Sequence, residues 1–231
     1  MDHREDLLEL VRFKSTTEEG YVSFSEYAGR MKADQKSIYY LTGDNETNLK
    51  NSPLLEMYME KEIEVLVMDQ DIDEFVIPAV NKYKEFDLKS VNFSDAADDL
   101  KSDDNKKEED DIKPLIKKMK KVLGEQVKDV KVSSRLKDSP SCIVADSNDP
   151  TAKMQEIMKA MGQHGQQDIK PILEINPSHA IIRKLKGMKK SKSFDDISQL
   201  LLDQAILLEG AKLKTPTEFV ERLNSILTDT I

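Results

Sequence analysis

The sequence predicts a small α/β layer followed by a mixed α+β unit that ends in helices. Short apolar strands alternate with helical patterns over residues 20–93, a run of alternating charge clusters follows, and the last fifty residues read as helices separated by capping signals. Ser25 to Met31 reads as a short helix and Ser37-Ile38-Tyr39-Tyr40-Leu41-Thr42 as a compact strand. Ser52-Pro53 supplies an N-cap and a first-turn proline for the helix over Leu54 to Met59. Ile63 to Met68 is the second strand. Asp71 is placed to cap a helix whose Phe75, Val76, Ala79, Val80 and Tyr83 mark one apolar face at period 3.6. This alternation argues for a mainly parallel sheet.

Residues 94–111 hold Asp98-Asp99, Asp103-Asp104 and Lys106 to Asp111, with little to bury, and read as a linker or the ragged start of an extended helix, a solvated spacer being favoured. Beyond it, Ile112, Leu115, Ile116, Met119, Val122 and Leu123 form one stripe of a basic helix stopped by Gly124. Val127 to Val132, Cys142-Ile143-Val144 and Leu173-Glu174-Ile175 read as strands. Asn176-Pro177 is expected to open a helix, with His179 just inside its start as a structural residue. Ser193-Phe194-Asp195-Asp196 resembles a capping box, Gly210 ends the helix it opens, and Thr215-Pro216-Thr217-Glu218 starts the last one. The division is therefore 1–93, 94–111 and 112–231.

Composition narrows the function. The 231 residues carry a net charge of −9, which argues against nucleic acid or an anionic membrane as main partners, since both require clustered cations. No apolar run approaches the roughly 18 residues of a membrane span. The single cysteine, Cys142, sits in an apolar stretch, reads as a buried small hydrophobe and fits a reducing, cytoplasmic compartment. His3, His164 and His179 lack metal-ligand spacing, and no glycine-rich phosphate loop occurs. No catalytic residue, metal ligand or cofactor is indicated, and the chain reads as a binding protein.

Two segments could hold binding energy. The helix from Ile197 to Leu208 places Leu200, Leu201, Leu202, Ala205, Ile206, Leu207 and Leu208 around nearly its whole circumference, and the final helix adds Phe219, Val220, Leu223, Ile226 and Leu227. A helix apolar all round must be covered on every side. Either a monomeric core or a homodimer formed by these two helices and their symmetry mates satisfies that, and the amount of apolar surface favours the dimer. Between Thr151 and Gln163, Met154, Ile157, Met158 and Met161 fall on one face opposite Lys153, Gln155, Glu156 and Lys159. Such a stripe is core or a docking face, and three methionines suit a surface that accepts many partners. Loops are expected on either side, over residues 146–150 and 162–168.

Specific strings then resemble a known family. Leu10-Val11-Arg12-Phe13-Lys14-Ser15-Thr16, Tyr27-Ala28-Gly29-Arg30-Met31-Lys32 and Gln35-Lys36-Ser37-Ile38-Tyr39-Tyr40-Leu41-Thr42-Gly43 are similar to segments of the heat-shock protein 90 chaperones. Ser134-Arg135-Leu136, Ser139-Pro140-Ser141-Cys142-Ile143-Val144 and Leu173-Glu174-Ile175-Asn176-Pro177-Ser178-His179 continue the match in order, with the bacterial type the nearest in character. The resemblance implies the small α/β/α end of a middle domain, then a dimerisation domain whose last helices, Ser193–Glu209 and Pro216–Thr228, form a four-helix bundle across a homodimer. Leu200, Leu201, Ala205, Leu208, Phe219, Leu223, Ile226 and Leu227 would form that interface. Partly folded client proteins would be held by Met154, Ile157, Met158 and Met161 and by a middle-domain patch at Glu74 and Phe75 near Pro78, with co-chaperones as further partners. ATP and magnesium serve the full-length family in an N-terminal domain without counterpart here, so the resemblance implies a chaperone fragment that neither binds nor hydrolyses ATP. The ending Asp229-Thr230-Ile231 lacks the acidic tail of cytosolic eukaryotic members, which points to a bacterial or organellar origin.

Overall fold

The computed structural model describes residues 4–100, 105–162 and 169–230. His3, residues 101–104 of the expected linker and residues 163–168 of the expected loop, with His164, lie outside the described residues. Two mixed sheets and ten α-helices are present among the described residues.

The first unit runs α1 (Arg4–Leu10), β1 (Lys14–Ser15), α2 (Phe24–Arg30), β2 (Ser37–Thr42), α3 (Glu46–Lys50), a 3-10 turn (Pro53–Leu55) leading into α4 (Glu56–Glu60), β3 (Val65–Met68), α5 (Asp73–Val80), β4 (Lys82–Tyr83) and β5 (Phe86–Ser90). The strand order is β1-β3-β2-β5-β4; β2 pairs in parallel with β3 and β5, while the short edge strands β1 and β4 are antiparallel. Successive residues of a strand point to opposite faces, and here both faces are buried. Ile38, Tyr40, Leu66 and Met68 pack with Phe24, Tyr27 and Ile77 from α2 and α5. Tyr39, Leu41, Val65 and Val67 pack with Leu49, Leu54, Leu55 and Tyr58 from the opposite layer. That double burial explains why β2 and β3 read as continuous apolar runs.

The second unit comprises α6 (Asn105–Leu123), β6 (Asp129–Val132), β7 (Ser141–Val144), α7 (Ala152–Ala160), β8 (Ile172–Ile175), α8 (Ala180–Gly187), α9 (Lys192–Leu208) and α10 (Pro216–Thr230). Its sheet has the order β6-β8-β7, with β6 parallel and β7 antiparallel to β8. Val130, Ile143, Leu173 and Ile175 pack under α6, α8 and α9. The other face presents Cys142, Val144 and Ile172 to the core of the first unit, so the two sheets share one apolar cluster. Cys142 is buried there, and burial pushes its thiol well above the usual range.

A polar clasp reinforces this junction. Arg135, fully buried, donates from Nε to Glu174 Oε2 on β8 at 3.1 Å. Its Nη1 reaches the carbonyl of Val91 at 2.7 Å and its Nη2 that of Phe93 at 2.9 Å. Ser133 Oγ donates to the same Glu174 oxygen at 2.8 Å. From the first unit, Glu56 accepts the backbone N–H groups of Asp138 and Ser139 at 2.9 and 3.1 Å.

Four local expectations change. The first part of the expected linker is packed: Ala96 and Ala97 are buried, and Asp99 accepts from Tyr39 Oη at 2.9 Å and pairs with Lys89 at 3.0 Å. Two small apolar residues among charges are enough to anchor it. Asp71 does not cap α5 but pairs with Lys153, and Asn81 in the left-handed region (φ 55°) ends the helix so that Tyr83 falls on β4. The buried face of α5 is therefore Glu74, Ile77 and Val80, while Phe75 and Val76 are exposed. Helix α9 is capped by Ser191, whose Oγ accepts from the N–H of Phe194, not by Ser193. His179 is the N-cap of α8: its Nδ1 accepts from the N–H of Ile181 at 3.2 Å, while Asn176 is buried and braces residues 137–139.

Candidate binding surfaces

Helix α7 is short because its punctuation is strong. Thr151 Oγ1 accepts from the N–H of Met154 at 3.0 Å at one end, and Gly162 adopts φ +83° just past the other. None of the helix is fully buried: Met154, Ile157 and Met158 are half-buried, and Met161 is 66% exposed. The stripe is thus neither core nor fully free.

Its neighbour is α5, from more than seventy residues earlier. Thr151 Oγ1 donates to Glu74 Oε2 at 2.8 Å, and Lys153 pairs with Asp71 at 3.0 Å and with Asp44 at 2.6 Å. Both carboxylates hold the Lys153 ammonium well above its usual range, Asp44 contributing most. The fold therefore brings together the two segments that the family resemblance indicates separately. Phe75 is 39% exposed, and Ile72 and Val76 beside it are exposed as well. Glu74 requires correction. It is only 3% exposed, with its side chain turned onto Thr151, because it lies on the same helical face as Ile77 and Val80. Drawing the helix phase through Phe75 rather than Glu74 puts Val76 on the expected apolar face instead of at the surface and leaves Ile72 unmarked. A buried glutamate on an apolar face leaves no periodic signal.

Behind α7, on the side opposite the methionines, a cavity of about 500 Å³ lies between Gln155, Glu156 and Lys159 and a floor of Ile143, Leu202 and Ile206. Glu209 stands on its wall. Its Oε1 accepts from Asn92 Nδ2 at 3.0 Å, and Asn92 Oδ1 in turn accepts from the N–H and Oγ1 of Thr42, both at 3.1 Å. Burial pushes the Glu209 carboxyl from 4.5 up to about 7, against the lowering effects of Asn92 and Arg135. Gly210 follows with φ +81°, and a Cβ there would meet Asp44 Oδ2 at 2.9 Å.

The sign of the Glu209 effect follows from its raised value. The folded state holds the proton more tightly than the unfolded chain, so this contribution is full below pH 4.5 and is lost as pH rises through about 7. Glu209→Gln is expected to stabilise the fold by about 1–2 kcal/mol at pH 8 and to be near neutral at pH 4. Thermal unfolding at the two pH values, compared with the parent chain, measures it. Equal effects at both would show that the carboxyl does not titrate this way.

The α9–α10 hairpin divides the expected interface residues into two groups. Leu201 and Ala205 are 1% and 2% exposed and belong to the protomer's own core under β7, and Leu200 is buried too. These three are corrected from interface to core: one side of the apolar helix is consumed by its own sheet. In the last turn of α9 Leu207 and Leu208 are 46% and 51% exposed, and on α10 Val220 and Leu227 are similarly open. Phe219, Leu223 and Ile226 are half-buried along α10. Arg222 fixes the hairpin by pairing with Asp203 at 3.1 Å. Among the described residues no group of His, Cys, Asp or Glu could hold a metal ion, and no helix is long and apolar enough to cross a membrane.

Known proteins give these surfaces a context. The family described as Hsp90 protein matches residues 1–231. The Chaperone protein HtpG of Treponema denticola is 47% identical over 236 residues, covering 99% of this chain. The proteins of the same name from Treponema pallidum and Sulfurovum sp. are 45% and 43% identical, each over 98% of the chain. The chain spans about 37% of the length of these relatives. With the whole sequence matched, the chain belongs to the Hsp90 family.

Proposed function

We propose that this chain is the homodimerising, client-holding part of an Hsp90-type chaperone, with residues 1–93 the end of the middle domain and 112–231 the dimerisation domain. The observation that carries the reading is the contact between two helices distant in sequence, α5 with exposed Ile72, Phe75 and Val76 and α7 with its half-buried methionine stripe and exposed Met161. Apolar surface of this kind marks an interaction site, and methionine adapts to partners of varied shape. The relatives' name, chaperone, supports protein chains as the partner.

In the same reading, the open face of the α9–α10 hairpin meets its symmetry mate, giving an isologous four-helix bundle. Leu208, Leu227, Leu223, Phe219 and Ile226 line it, while Leu201 and Ala205 hold the hairpin to its own sheet. ATP hydrolysis belongs to the longer protein, and the role of this portion is binding in a cytoplasmic setting. Co-chaperones would dock elsewhere on the dimer.

Met154→Glu combined with Met158→Glu is expected to abolish most suppression of aggregation of a chemically unfolded test protein. Thermal unfolding of the chain should barely change. A large loss of stability would identify the stripe as core. Undiminished suppression would leave a dimerising scaffold without client contact.

A further inference from the structure

The charge of this acidic chain is segregated. Residues 113–121 contain five lysines, residues 183–192 contain five lysines and one arginine, and neither stretch contains Asp or Glu. Setting those eleven cations aside from the net charge of −9 leaves −20 on the remainder. The sequence presents the two stretches as unrelated, the first on a basic helix and the second across a helix end and loop.

The fold sets them side by side. Ile112, Leu115 and Met119 of α6 share a core with Ile182 and Leu185 of α8, and Lys186 pairs with Asp111 across the two helices. The apolar faces point inward, so the lysines between them point out. Lys117, Lys118 and Lys121 of α6, Lys184 of α8, and Lys189 and Lys190 beyond it are all exposed. Among the described residues, the ion pairs in these stretches involve other lysines: Lys113, Lys120, Lys186 and Lys192. Packed helices have axes about 8–10 Å apart, close to the Debye length of roughly 8 Å at physiological salt. At that separation the fields of cations on the two helices overlap.

We propose that the outer face of α6 and α8, with the loop to Lys192, is a docking surface for a short acidic segment of a protein partner. Charge complementarity selects an acid-rich ligand. A nucleic acid fits poorly, because neither helix exposes an aromatic ring for base stacking and the −20 remainder repels a polyanion extending past the patch. A membrane fits poorly as well, since Ile181 is the one large apolar side chain exposed on these two helices among the described residues. The surface is separate from the client patch and does not depend on it.

Fluorescence anisotropy with a labelled peptide of repeating Asp and Glu tests the assignment, with its Asn/Gln analogue and an oligothymidylate as comparison ligands. The acidic peptide is expected to bind, weakening as salt rises from about 50 to about 200 mM, and the neutral analogue is not. Lys118→Glu with Lys184→Glu and Lys189→Glu should lower the affinity by about tenfold or more at unchanged thermal stability. If that variant is unstable, the three Gln substitutions serve, with a smaller expected loss. Unchanged affinity in either folded variant, or tighter binding of the oligothymidylate, would overturn the proposal. So would lysine-dependent self-association in light scattering, which would make the partner a second copy of the chain.

Discussion

Replacing Arg135 by methionine is expected to cost the fold about 3–5 kcal/mol, because it removes one partner of a fully buried ion pair and leaves the other charge behind. Glu174 would keep Ser133 as a neutral donor, and the carbonyls of Val91 and Phe93 would lose their guanidinium. Those carbonyls belong to the first unit and Arg135 to the second, so the loss falls on the shared core around Cys142, Val144 and Ile172. The chain has no tryptophan, so urea unfolding is best followed by circular dichroism. Adding Glu174→Leu should recover much of the loss, since an apolar replacement of the whole pair leaves no stranded charge. A single-variant cost below about 1 kcal/mol, the level of an exposed pair, would show that the clasp is not what joins the sheets.

Leu208→Asp with Leu227→Asp is expected to convert a dimer of twice 26.3 kDa into monomers that remain folded. Both side chains are about half exposed on one protomer, so each Asp is hydrated in the monomer and loses that hydration only at the interface. Light scattering across micromolar concentrations reads the mass, and circular dichroism reports the fold. Leu201→Asp should behave differently: a charge placed beneath β7 unfolds the protomer before it can report on association. A double variant that stays dimeric would exclude the open face of the α9–α10 hairpin as the interface.

The sequence was most legible where backbone chemistry is local. Strand β2 has the predicted bounds, Gly124 and Gly210 end helices in positive φ, and Pro216 begins α10. Each follows from side chains within a few residues. Legibility failed where tertiary packing chose between faces. The phase of α5 was misread because Glu74 is buried onto Thr151, a partner 77 residues away. Leu200, Leu201 and Ala205 were assigned to the dimer because an all-round apolar helix does not say which side its own sheet takes. The short partners β1 and β4, two residues each, carry too little pattern to be read at all. The meeting of α5 and α7 and the adjacency of the two basic stretches are products of topology, and no local signal announces them.

If clients lie against α5 and α7, a photoreactive residue placed on those helices will be captured by them. Incorporated in turn at Met158, Phe75 and Glu156, it is irradiated with a chemically unfolded client present. Met158 belongs to the methionine stripe, Phe75 lies on α5, and Glu156 is on the same helix as Met158 but lines the cavity side. Client adducts are expected from Met158 and Phe75, and few from Glu156. Equal yields from Met158 and Glu156, or none from Met158 and Phe75, would contradict that placement.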